Sequence, residues 1–187
     1  MDFAHIAAAV AEPASTGDAI PPSLRLALRS LESADASGDG DGWNRALAEV
    51  AHCYLAVGDP ARAEWHLRQG LRRARTLGQT ATSLEVLCEM ASAALAVAVR
   101  HEHLGEARLA HVARERVRDY SFEAVRLLGS TGTHALQAAV LMRLGDLLEL
   151  CGDNDDAQAL HARALRLLQR EAPAAAAGQA TASRSDA

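Results

Sequence analysis

Residues 47–63 read LAEVAHCYLAVGDPARA, and residues 141–157 read LMRLGDLLELCGDNDDA. Both stretches run through an apolar residue, an apolar–small pair, a large residue, a Gly-Asp step and an alanine five places after the glycine. Residues 94–110, ALAVAVRHEHLGEARLA, keep the same frame with Glu106 in place of the aspartate. Gly58, Gly105 and Gly152 are therefore 47 positions apart, twice in succession. Around them Val50, Val97 and Leu144 align, as do the small residues Ala51, Ala98 and Gly145. Tyr54, His101 and Leu148 align before the glycines, and Ala63, Ala110 and Ala157 after them. A fixed period of a few tens of residues marks a repeat array. Each unit reads as a helix, a tight glycine corner and a second helix. The small residues allow close approach within a hairpin, and the large ones fill the space between hairpins. One hairpin cannot bury its apolar face alone, so three are expected to stack. Such arrays present surfaces more often than they perform chemistry.

The composition agrees with an all-α chain. Apolar residues make up 49% of the 187 positions but aromatics only 3%, so alanine and leucine supply most of the core. These and arginine favour helix. All 19 basic residues are arginine, which we read as codon bias. The formal charge of −5 is placed unevenly. Residues 1–42 hold seven acids and two arginines, whereas residues 43–171 hold 16 of each. The repeat body thus has no basic excess, which argues against nucleic acid as a partner. Three widely spaced cysteines, Cys53, Cys88 and Cys151, fit reduced buried thiols better than a disulfide framework. The amino terminus carries Asp2 and no positive region, so no signal peptide is expected. The apolar run from Met90 to Val99 is about ten residues, against roughly 20 for a bilayer span. The expectation is a cytoplasmic protein with no membrane partner.

Punctuation sets the expected boundaries. Residues 1–42 form an acidic segment with a short helix over residues 23–33, followed by a flexible loop from Ala34 to Gly42. The repeat domain covers residues 43–171, with repeats at about 43–78, 82–129 and 132–171. Asp59 and Pro60 are placed to start one second helix, and Thr82 with Glu85 has capping-box spacing. Residues 172–187, rich in alanine and serine, read as a disordered tail.

The pattern Leu47, Val50-Ala51, Tyr54, Gly58-Asp59, Ala63 resembles the tetratricopeptide repeat, and the third copy continues the match through Ala164-Leu165. The resemblance covers about residues 43–171 and implies antiparallel hairpins stacked in a right-handed superhelix. That family's usual period is about 34 residues. The 47-residue period lengthens each helix by one to two turns and is similar to that of bacterial regulatory helical-repeat proteins. The resemblance implies that first helices line a concave face. It places Arg45, Glu49 and His52 there from the first repeat, and Glu89, Ser92, Val99 and Glu102 from the second. Met142, Arg143, Asp146 and Glu149 come from the third. Five acids against two arginines make this face mildly acidic, suited to a basic or amphipathic protein segment or peptide. It also puts the arginines Arg68, Arg72, Arg73, Arg75, Arg114, Arg116 and Arg118 on the convex side, solubilising or paired with nearby acids.

No catalytic constellation is legible. His101 and His103 point about 200° apart on a helix and cannot chelate together, and the zinc-protease spacing is absent. His101 stands at the repeat's aromatic position and reads as a core histidine. Asp35, Ser37 and Asp39 begin a calcium-loop pattern, but Ala46 stands where the bidentate glutamate belongs. No nucleophile elbow, phosphate loop or dinucleotide fingerprint appears. The expectation is a non-enzymatic interaction module with no metal and no cofactor. Two alternatives remain open. One is a regulatory sensor enclosing a small ligand or signalling peptide beside Met142, Met90, Val99 and His52. The other is a secretion-type chaperone or an oligomerising element, with a homodimer formed through the last helix.

Overall fold

The computed structural model describes residues 20–129 and 132–182. These residues are all-α, with seven helices and no strand among them. The helices are α1 (Pro22–Ser37), α2 (Gly40–Ala56), α3 (Pro60–Thr76), α4 (Thr80–His103), α5 (Ala107–Leu128), α6 (His134–Leu150) and α7 (Asn154–Ala182). The chain divides into two compact units, with the boundary in sequence between His66 and Leu67, inside α3.

The glycines at the 47-residue period share one corner geometry. Gly58, Gly105 and Gly152 have φ of 80°, 73° and 86°. A residue with a Cβ is strained there, so glycine is required. The amide after each glycine donates to the carbonyl five residues back: Asp59 to Tyr54 at 2.8 Å, Glu106 to His101 at 2.8 Å and Asp153 to Leu148 at 2.9 Å. This satisfies carbonyls left open at the helix end. The same bond recurs outside the period, where Asp39 reaches Ala34 at 3.1 Å and Gln79 reaches Ala74 at 2.8 Å.

In the first unit α1 packs along α2. Leu24 and Ala27 of α1 and Leu47, Val50, Ala51 and Tyr54 of α2 are buried. The loop expected over residues 34–42 is mostly helix. α1 runs to Ser37, the chain turns on Gly38 and Asp39, and α2 already begins at Gly40. Burial of Ala34 holds the end of α1, and Asp39 caps α2 by accepting from the Gly42 amide at 2.9 Å. Tertiary packing and that cap override the poor helix propensity of the glycines.

In the second unit α4 lies against α5 and α6 against α7, with smaller contacts of α6 to α4 and α5. Leu84, Leu87, Val117, Leu128, Leu141, Leu144 and Leu148 are essentially inaccessible. Ala98, Ala110, Gly145 and Ala157 are also buried, as are Ala51 and Ala63 in the first unit. The capping box expected at Thr82 is not the helix start. α4 begins two residues earlier, after Gln79, and the Ser83 hydroxyl donates to the Gln79 carbonyl at 2.9 Å. The tail expected from residue 172 is helical as far as Ala182, because its alanine run carries helix propensity across Pro173. Residues 1–19 of the acidic segment and residues 183–187 of the expected disordered tail lie outside the described residues. By length and composition α4 could cross a bilayer, yet 56% of its most apolar window is buried. Core helices of globular domains have that same profile.

Candidate functional site

The eleven residues expected on one face fall into four settings. Arg45 and Glu49 border an open cleft of about 460 Å³ between α1 and α2, together with Arg29, Ser33 and Asp39. Their neighbour is thus α1, expected as a short helix over residues 23–33. His52 is exposed on α2.

The second setting joins α4 to α6. The Arg143 guanidinium donates to Glu89 at 2.7 Å and to the Ser92 hydroxyl at 3.1 Å. Ser92 in turn donates to the Cys88 carbonyl at 3.0 Å. Cys88 is buried, and burial pushes its thiol up to about 11. A thiol so protected is not an activated nucleophile. Val99 on α4 and Met142 on α6 are exposed, at 40% and 37%. Met90 is buried at 3% and belongs to the core.

The third setting is Glu102, which pairs with Arg114 across the α4–α5 hairpin. Arg75 pairs with Glu123, and Arg118 with Glu115 and Asp153. These three arginines are therefore held by acids. The hydrogen bond to Asp153 raises the Arg118 pKa above its ordinary value. With Glu89 and Glu102 each matched by an arginine, the exposed surface is less acidic than a count of its acids indicates.

The fourth setting lies across α6 and α7. His161 Nε2 sits 3.1 Å from Asp146 Oδ1, and Glu149 stands one turn further along α6. Gly145 makes this possible, since a Cβ there would collide with Nε2 and Cδ2 of the imidazole. His161 is not among the residues expected at the site. The available signal was glycine in the small-residue column, where the other two copies carry Ala51 and Ala98.

The histidines also sort differently from expectation. His101 is not a core residue. Its ring is 25% exposed and its Nδ1 lies 2.6 Å from Glu106 Oε2, across the corner of its own hairpin. Among the described residues the buried histidine is His66, 5% exposed, which stacks on Tyr54 at 5.2 Å and meets the edge of Trp65 at 4.8 Å. Burial, reinforced by the charge of Arg62, lowers the His66 pKa to about 4. Burial also raises Tyr54, against which the Arg62 guanidinium lies 5.9 Å from the ring centre.

No protein-family model and no curated protein matches the chain.

Proposed function

We propose that the chain is a non-enzymatic binding module of tetratricopeptide-like hairpins, and that the α4–α6 surface receives an amphipathic segment of a partner protein. One observation carries this reading. Three corners 47 residues apart share a left-handed glycine and the same five-back amide bond, and the small residues flanking them are buried. On this reading the hairpins stack in a right-handed superhelix. Val99 and Met142 supply apolar contact, and the Glu89–Ser92–Arg143 bridge fixes the spacing of the two helices. Exposed Val99 and Met142 favour a surface for a segment over an enclosed small-ligand pocket. The three free thiols fit a reducing compartment, so the proposal places the protein in the cytoplasm.

A photo-crosslinking side chain at Met142 or Val99 tests the reading. It should capture a protein or peptide that the same group at exposed Arg116 on α5 does not. Arg143→Glu, which sets two acids against each other beside Ser92, should abolish that capture. Equal capture from α5, or none from either α4 or α6, refutes the proposal.

A second reading is favoured by Leu165 and Leu168, one turn apart on α7 and 54% and 43% exposed. Two such residues on one face can pair with a second copy. A concentration-dependent mass by light scattering, abolished by Leu165→Glu with Leu168→Glu, would support a homodimer.

A further inference from the structure

We propose that Asp146, Glu149 and His161 form a binding site for a divalent transition-metal ion of the zinc type. Among the described residues, these are the three side chains whose possible ligand atoms come together, all within 4.8 Å of one another. Asp146 and Glu149 are three apart on α6 and share a face, and His161 reaches them from α7. Metal–ligand distances near 2.1 Å put ligand atoms about 3.3 Å apart in a tetrahedral site. The His161–Asp146 separation of 3.1 Å already meets that spacing. Glu149 is exposed, and its carboxylate lies within 4.8 Å of both other ligand atoms.

The repeat supplies an internal comparison. Forty-seven residues before His161 stands Arg114, and forty-seven before Glu149 stands Glu102. In the second repeat these two make an ordinary ion pair. The third repeat keeps the glutamate but replaces arginine with histidine, Val99 with Asp146 and Ala98 with Gly145. The arginine cannot lose its proton to bind a metal, whereas imidazole can. The new aspartate adds a second oxygen donor. The new glycine opens the space the imidazole occupies. All three departures favour a metal over the salt bridge they replace.

One nitrogen and two carboxylates suit zinc, cobalt or nickel. Calcium and magnesium prefer all-oxygen shells of six or more ligands. Three protein ligands leave a coordination position open to water or to a donor from a bound partner. Sequence spacing alone does not show the set, because His161 is 15 residues from Asp146 and on another helix.

The test uses the full chain, freed of metal with a chelator, in calorimetric titrations with Zn²⁺ and Mg²⁺ and in visible spectroscopy with Co²⁺. The expected result is one Zn²⁺ per chain, no measurable Mg²⁺ binding and a Co²⁺ spectrum with nitrogen and oxygen ligation. His161→Ala and Asp146→Asn should each weaken Zn²⁺ by at least about tenfold. Gly145→Ala, which displaces the imidazole without removing a ligand, should weaken it by about 10–100-fold. Circular dichroism of each variant confirms that the helices remain. Absence of stoichiometric Zn²⁺ binding by the intact chain overturns the proposal, as does full affinity in His161→Ala, which would place the ion on another histidine. Neither outcome bears on the α4–α6 docking reading, because no partner is present in the titration.

Discussion

His66 gives this fold a pH dependence that can be worked out in advance. Its imidazole is 5% exposed, stacked on Tyr54, and its pKa is lowered from 6.5 to about 4. In the unfolded chain His66 takes up a proton as pH falls through 6.5; in the folded chain it does so only near 4. The unfolded state therefore binds more protons between these values, and stability must fall as pH drops through that window. The neutral-histidine contribution is fully present above pH 6.5 and fully lost below pH 4. A depression of this size corresponds to about 3 kcal/mol, at about 1.4 kcal/mol per pKa unit. His66→Phe keeps a ring against Tyr54 and removes the titration. Urea unfolding followed by circular dichroism, at pH steps from 7.5 to 4, should show the native protein losing about 3 kcal/mol more than the variant. Parallel pH curves for the two proteins would refute the reasoning. So would an NMR titration that places His66 near 6.5 in the folded chain, because either result means the ring is solvated.

Four further outcomes follow from the packing. Ser121 is fully buried and its hydroxyl has no hydrogen-bond partner; Ser121→Ala should be neutral or stabilising by about 1 kcal/mol in urea unfolding. Gly152→Ala meets no steric obstacle but forces a Cβ into φ of 86°, so it should cost about 1 kcal/mol, measurable as a lower melting temperature. Leu144 is 0% exposed, and Leu144→Ala should destabilise by about 3 kcal/mol, read as a lower urea midpoint with an unchanged slope. Arg118 pairs with Asp153 at a partly exposed position, so Arg118→Ala should cost under about 1 kcal/mol, and less still at high salt.

The legible parts of this protein were those encoded in short stretches of chain. Gly58, Gly105 and Gly152 could be recognised because a left-handed corner needs glycine and local amide bonds, both fixed within six residues. Alanine and leucine at helical spacing likewise determined an all-α chain, since burial of one helix face needs only periodicity. Residues 34–42 misled because their glycines favour a loop in isolation, whereas burial of α1 on α2 made all but the corner helical. His101 misled in the opposite direction. Its column is buried in Tyr54 and Leu148, but at His101 the ring is one-quarter exposed and bonds Glu106 instead. The relations among charged groups were decided only by tertiary structure. Arg143 with Glu89, Arg114 with Glu102 and His161 with Asp146 all join different helices. Electrostatic interaction depends on distances of a few ångströms in space, and a linear spacing of 12, 15 or 54 residues carries no such distance.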